Sequence, residues 1–372
     1  MNETLLTLLV FILAFGGMVI IHEFGHFIVA RLCKIEVEEF GIGLPTPGAL
    51  TLFTWQGTRF TLNWLPLGGF VRPKGENDPT VPGGLAAANP WARLAVLFAG
   101  PLMNLLTAVI IYSIIFTRVG VPDTSRVLVS SVVAESPAAQ AGFQTDDIFI
   151  SANGQPIRSV DDLRAIVDAN SGKPVDFLVD RHGEEVELTA TPVLTQVLNE
   201  TKKRSMIGVG LGNPFKKATS WVETLNLGAR YTYTNIRTLI SLPAQMIRGS
   251  LAPEQGRLIG LKGIYDVFSQ TVNRDVEATT TSPVSTDPLD QPIRTLDLIA
   301  ALSISLGIFN LFPFPALDGG RIIFILPELI FRRRVSPRVE NLVHGLGMAF
   351  LLAFMVYVNV MDFVDPIAIT VP

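Results

Sequence analysis

Apolar positions gather into four long runs, with the polar residues collected between them. The runs are Leu5 to about Leu32, Trp91 to about Thr117, Leu296 to about Leu317, and about Leu342 to Val364. Each is long enough to cross about 30 Å of hydrocarbon as a helix. The pattern predicts a polytopic α-helical membrane protein with four transmembrane helices. Between the first two runs the period shortens. Thr51-Leu52-Phe53-Thr54-Trp55 and Thr58-Arg59-Phe60-Thr61-Leu62 flank Gln56-Gly57, which reads as a two-residue hairpin turn. This β-hairpin region, about 36–72, is too short and apolar to be a separate domain. It is expected to associate with the membrane interface, its backbone protected by protein. Trp55, Trp64 and Trp91 are placed like interfacial anchors.

Residues 121–195 read as a soluble α/β module. Val127-Leu128-Val129 and Asp147-Ile148-Phe149-Ile150 fit strands, and Ser159 followed by Asp162 fits the capped start of a helix. Val175–Val179 and Glu185–Thr189 make a hairpin around Arg181-His182-Gly183. The segment 216–247 is amphipathic and reads as a helix, with Pro243 near its end. Its apolar residues Trp221, Leu225, Ile236, Ile240 and Met246 suit either a membrane surface or packing on the soluble module. Residues 272–292, rich in Thr, Ser, Pro and Asp, read as a flexible loop. The chain thus divides into 1–117, 121–195, 216–293 and 294–372.

Composition agrees with a membrane protein carrying a soluble part: 48% hydrophobic, 17% charged, mean hydropathy +0.41. The net charge of −4 offers no basic face for nucleic acid. The single Cys33 excludes an intramolecular disulfide and leaves either a metal-ligand role or a small buried side chain. The first apolar run lacks a basic leader and a small-residue cleavage site, so it does not read as a cleavable signal peptide. Arg332, Arg333, Arg334 and Arg338 lie between the third and fourth runs, Arg31 and Lys34 follow the first, and Arg93 opens the second. By the positive-inside rule these connections are cytoplasmic, which puts the 120–290 region outside.

Charge appears where the first run should be apolar: His22-Glu23-Phe24-Gly25-His26. The two imidazoles share one helix face at i and i+4, a spacing that holds Zn2+ with the intervening Glu as general base. With 4 His and 33 acidic residues in 372, chance gives about 0.004 such matches. Ionisable residues in a span cost about 2.5–3.5 kcal/mol each, whereas zinc binding returns on the order of 10–16 kcal/mol. A catalytic zinc wants a third protein ligand and an open position. His182 falls in the exterior hairpin, and His344 opens the fourth run without a motif. Asp318, in Asn310-Leu311-Phe312-Pro313-Phe314-Pro315-Ala316-Leu317-Asp318-Gly319-Gly320, follows two prolines that break the third span. On the residues alone, zinc ligation and a plain helix N-cap are both open for Asp318. Asn310 is likewise open to a simple helix–helix hydrogen bond.

The ensemble of motifs resembles the site-2 protease family, the intramembrane zinc metalloproteases, and within it the bacterial regulator-of-sigma-factor type with a PDZ domain. His22–His26 match the family's first motif, and Asn310–Gly319 match its N-x-x-P-x-P-x-L-D-G motif with Pro313, Pro315 and Gly319 in place. Gly100-Pro101-Leu102-Met103-Asn104 matches a motif of the second span, and Leu67-Gly68-Gly69-Phe70-Val71 the end of the membrane-associated β-region. Ser136–Phe143, Asp146-Asp147-Ile148 and Asn153-Gly154 are similar to a bacterial PDZ domain. The resemblance implies His22, His26 and Asp318 as zinc ligands, Glu23 as catalytic base and Asn310 as a substrate-backbone contact, with Gly100 and Asn104 in supporting places. It implies a multi-pass protein of the inner (cytoplasmic) membrane with the site near the cytoplasmic side and the PDZ domain extracytoplasmic. Its partners would be the bilayer and single-span membrane proteins, an anti-sigma factor or a signal-peptide remnant among them. Two departures stand out: Gly260-Leu261-Lys262-Gly263-Ile264 replaces a Gly-Pro-x-Gly-Ile pattern, and one PDZ unit stands where some relatives have two. The rival functions are a proteolytically inactive PDZ scaffold and a chaperone-like binder of single-span proteins.

Overall fold

The computed structural model describes residues 3–196, 203–249, 259–281 and 293–365. They form two compact units, one of residues 1–118 with 220–372, the other of Val119–Thr219.

The first unit opens with α1 (Glu3–Leu32), followed by β1 (Val37–Leu44), β2 (Leu50–Trp55), β3 (Thr58–Leu62), β4 (Leu65–Pro73) and α2 (Pro90–Val119). The strands make one four-stranded sheet in the order β2-β3-β1-β4. Gln56 and Gly57 both have positive φ, 48° and 84°, the twist that a two-residue hairpin turn requires. The hairpin is thus one edge of a larger sheet. β1 pairs in parallel with β3, Phe40 opposite Phe60, and antiparallel with β4, Phe40 opposite Val71. A buried carboxylate on β1, Glu39, takes bonds from Thr61 Oγ1 (2.8 Å), Arg72 (3.0 Å) and Arg59 (3.3 Å). Phe27 of α1 joins Phe40, Val37, Ile35 and Val96 in the core that seats the sheet on α1 and α2. Cys33 packs against this same core.

The second unit contains β5 (Val121–Pro122), β6 (Val127–Val132), α3 (Pro137–Ala141), β7 (Ile148–Ala152), β8 (Gln155–Pro156), α4 (Val160–Ala169), β9 (Val175–Arg181), β10 (Glu184–Ala190), β11 (Val193–Gln196), β12 (Lys203–Met206), β13 (Val209–Gly212) and β14 (Phe215–Lys216). Its main sheet runs β10-β9-β7-β6-β13, with β8 on β7. Ser159 caps α4 by accepting from Asp162 N at 3.1 Å, while Asp162 Oδ2 accepts from Arg158 N at 3.1 Å. The α/β module extends past residue 195: β13 pairs with β6, and Lys216 pairs with Val121. Asp147 is fully buried and held by Arg181 at 2.7 and 2.8 Å.

The chain then returns to the first unit with α5 (Trp221–Ile247), α6 (Leu261–Thr281), α7 (Arg294–Leu311), α8 (Asp318–Phe331) and α9 (Pro337–Val364). The amphipathic helix therefore begins at Trp221, not at residue 216, with Ser220 as its cap. Residues 272–281, expected as loop, are the second half of α6; the remainder of that expected loop, 282–292, lies outside the described residues. Among the described residues four helices are long and apolar enough to cross a membrane: Thr7–Leu32, Pro90–Val119, Arg294–Leu311 and Pro337–Val364. The third stops at Leu311, six residues before the expected end, because Pro313 and Pro315 supply no amide to continue it. The starts of α6 and α7 are held by carboxylates of neighbouring helices. Asp362 of α9 accepts from Gly260 N and Gly263 N at 2.9 Å each, and Asp275 of α6 accepts from Thr295 N at 2.8 Å and Arg294 N at 3.2 Å. Gly260 and Gly263 are the two glycines of the segment that departed from the family pattern, and both bring backbone to Asp362.

Candidate metal centre

On α1 the i, i+4 spacing puts the imidazoles of His22 and His26 side by side, Nε2 to Nε2 3.1 Å. Both are buried, at 6% and 9% exposure. They lie on the backbone of α2 at Gly100. A methyl added there would strike His26 Nε2 and come within 2.8 Å of His22 Nε2, so glycine is what lets α2 pass this close. The rings are also held from behind: His26 Nδ1 is 2.7 Å from Val96 O, and His22 Nδ1 is 3.1 Å from the amide of Asn104, itself fully buried.

The third member arrives by the broken end of α7. After Leu311 the chain turns through Phe314 N to Phe312 O (2.7 Å) and Leu317 N to Phe314 O (3.2 Å), and α8 starts at Asp318. Gly319 lets that start fold back on α7, since a side chain there would meet the carbonyls of Leu311 and Phe312. The N-cap of α8 is Leu317, which makes no side-chain cap bond. The Asp318 carboxylate instead turns to the histidines: Oδ2 lies 3.2 Å from His22 Nε2 and 3.3 Å from His26 Nε2. That oxygen is buried and faces the two imidazole nitrogens.

Three potential ligand atoms thus form a nearly equilateral triangle with sides of 3.1, 3.2 and 3.3 Å. Zinc bonds of about 2.0–2.1 Å at tetrahedral angles have ligand–ligand edges of about 3.3–3.4 Å. The triangle therefore fits one face of a zinc tetrahedron, with the buried Asp318 oxygen as its anionic corner. Among the described residues this is the group of His, Cys, Asp and Glu side chains that converges closely enough to hold an ion.

The structure distributes the other candidates as follows. Glu23 sits beside His22, and its Oε2 accepts from Val71 N of β4 at 3.1 Å. Asn310, on the last turn of α7, donates back to Leu306 O at 2.9 Å and is not bonded to the histidines or Asp318. His344 is not in the triangle; its Nδ1 accepts from Ala316 N at 2.9 Å and so steadies the turn before Asp318. His182 occupies the β9–β10 turn at φ 53°, and Cys33 is in the sheet core. Sequence reasoning did not find Val96 and named Val71 only as the end of a motif, because each acts through a backbone atom that no side chain advertises.

The model of peptidase family M50 matches residues 10–354, a stretch that contains both halves of this site. The chain belongs to peptidase family M50, the site-2 protease family. A Caulobacter vibrioides member named Metalloprotease MmpA is 31% identical over 370 residues, covering 91% of this chain and 90% of that protein. A Bartonella henselae protein bearing the name "Putative zinc metalloprotease" is 30% identical over 365 residues, 93% of this chain and 98% of its own. A Clostridium perfringens protein of the same name is 31% identical over 357 residues, 96% and 98% respectively. As an M50 member, this chain is a membrane protein, consistent with its four apolar helices.

Proposed function

We propose that this M50 member is a zinc metalloendopeptidase that cuts peptide bonds inside the transmembrane segments of single-span membrane proteins. The observation that carries the reading is the triangle of donor atoms with Glu23 beside it, all on or next to apolar spanning helices. His22, His26 and Asp318 hold the metal. Bound Zn2+ supplies a Lewis acid that lowers the pKa of water toward 7 and polarises a carbonyl. Glu23 takes the proton of the attacking water and returns it to the leaving amine. The Val71 amide fixes one carboxylate oxygen of Glu23, leaving Oε1 to move that proton.

A peptide in a helix hides its own amides, so the substrate must unwind before attack. The outward edge of β4 offers backbone to an extended strand. Val71 N already points away from β1, toward Glu23, so a strand added there runs past the base. Asn310 holds the strand from the opposite side. Excess Arg and Lys around residues 31–34, 93 and 332–338 supports an orientation with these ends in the cytoplasm and residues 119–219 outside. That unit is a PDZ domain of the extracytoplasmic side. It carries a groove of about 220 Å³ floored by Leu163, Val167, Met206 and Val209 and edged by Arg164, which suits a short apolar C-terminus or screens bulky exterior domains.

The test is Glu23→Gln in detergent-purified protein. Zinc content should stay at one equivalent, because the ligands remain, while cleavage of a model single-span substrate falls at least about 10²-fold. Cleavage near the native rate would remove Glu23 from the chemistry.

A further inference from the structure

The two histidines are held by different kinds of partner. His26 Nδ1 lies 2.7 Å from Val96 O. A carbonyl only accepts, so Nδ1 carries the ring proton and Nε2 keeps its lone pair. His22 Nδ1 lies 3.1 Å from Asn104 Nδ2, and an amide nitrogen only donates. With the amide turned this way Nδ1 must accept, and the neutral ring carries its one proton on Nε2. That is the nitrogen 3.2 Å from Asp318 Oδ2, and it cannot then ligate a metal. Meanwhile Asn104 Oδ1 is buried and has no hydrogen-bond partner. A half-turn of the amide about its last side-chain bond exchanges oxygen for nitrogen. Nδ1–H of His22 then has an acceptor, and Nε2 has its lone pair again. The backbone can stay still meanwhile, because Ser303 Oγ donates to Asn104 O at 2.9 Å and pins that turn of α2.

We infer that Asn104 is the positioning residue that fixes the tautomer of His22, its amide oxygen accepting from Nδ1–H so that Nε2 keeps the lone pair a ligand needs. The inference rests on the proposed ligand set of His22, His26 and Asp318. The two ligands are held by different acceptors, a backbone carbonyl for His26 and a side-chain amide for His22.

The experiment uses the full chain in detergent, with zinc affinity read by competition against a chromogenic chelator. Asn104→Ala, which leaves Nδ1–H without an acceptor, should weaken zinc about 10–100-fold, as removal of such orienting partners does. Asn104→Asp, whose carboxylate only accepts, should restore near-native affinity. Histidine-¹⁵N spectra of the zinc-loaded, unsubstituted protein should show His22 protonated at Nδ1; the chain has 4 His, and His22→Ala assigns the signal. Native affinity in Asn104→Ala overturns the inference, and so does Asn104→Asp losing as much as Asn104→Ala while folded. If Asn104→Asp does not fold, an unprotonated Nδ1 in the zinc form overturns it alone. His22→Ala with a full equivalent of zinc would instead sink the ligand set. Zinc lost in His22→Ala but kept at native affinity in Asn104→Ala sinks only the role of Asn104.

Discussion

Removing the Asp318 carboxylate separates two roles open to that residue. As a helix cap it would hold α8; as a ligand it would hold metal. Leu317 is the N-cap and no side-chain bond closes the end, so Asp318→Ala should leave helix content unchanged by far-ultraviolet dichroism. Zinc should fall well below one equivalent, as measured by metal analysis after gel filtration. A full equivalent at native affinity would mean that the third ligand is elsewhere. At Gly100 the expected damage is steric: Gly100→Ala pushes a methyl into both imidazoles and should deplete zinc while α2 stays helical, a contrast read by metal analysis and far-ultraviolet dichroism. Much of this residue scale was legible in the sequence. His22, Glu23, His26 and the break before Asp318 announce themselves by spacing and by prolines. Asn104 and Gly100 could be read only as motif members, because what they do depends on α2 lying against α1. The carbonyl of Val96 carries no signal at all.

Among elements, the apolar runs and the Gln56-Gly57 turn were readable because each rests on local periodicity or local φ. The parallel pairing of β1 with β3 was not. Alternation along a strand says which face is buried and nothing about which neighbour it meets. The second half of α6 was hidden for another reason. Its Thr and Asp residues favour loops in isolation. Here Thr271 and Thr279 bond back to the carbonyls four residues earlier, and Asp275 is committed to the start of α7. In the α/β module the buried Asp147 gives a pH prediction. Burial raises its pKa, but the Arg181 guanidinium and the Gln144 amide more than offset this and hold the carboxyl below its usual value. A carboxylate with a lowered pKa adds stability above its unfolded pKa of about 3.9, and loses it as pH falls through the folded value. Amide-exchange protection factors across β6, β7 and β9 should therefore hold from neutral pH down to about 4 and fall below it. Arg181→Ala should speed that exchange already at pH 7, by an amount equivalent to about 3–5 kcal/mol, because it strands a buried charge. Exchange unchanged at both pH values would mean that the pair does not hold the module.

At the scale of the whole chain, every proposed ligand belongs to the unit of residues 1–118 and 220–372. Excising 121–217 and joining the ends with a short Gly/Ser linker should leave a full equivalent of zinc. A cut from 124 to 192 would strand β13, which pairs with β6, so the larger excision is the clean one. Cleavage of a trimmed substrate should persist, and discrimination against bulky exterior domains should weaken; loss of zinc would make the module structural. Mass spectrometry of the products should place the cut within the substrate's span, nearer the cytoplasmic side, and Gly or Pro beside that bond should speed it by easing the helix open in lipid. A juxtamembrane cut indifferent to helix breakers would mean that the site does not work inside the bilayer. The distance along the chain between the two halves of the metal site has a further consequence for biogenesis. Asp318 is 296 residues beyond His22, so a ribosome adding about 5–20 residues per second needs roughly 15–60 s to supply the third ligand after the first. Through that interval the nascent enzyme is embedded among other newly inserted helices with its first two ligands made and its hydrolytic centre unfinished. Ribosome-bound chains halted before Asp318 should be inert toward neighbouring spans, as though synthesis itself served in place of a propeptide.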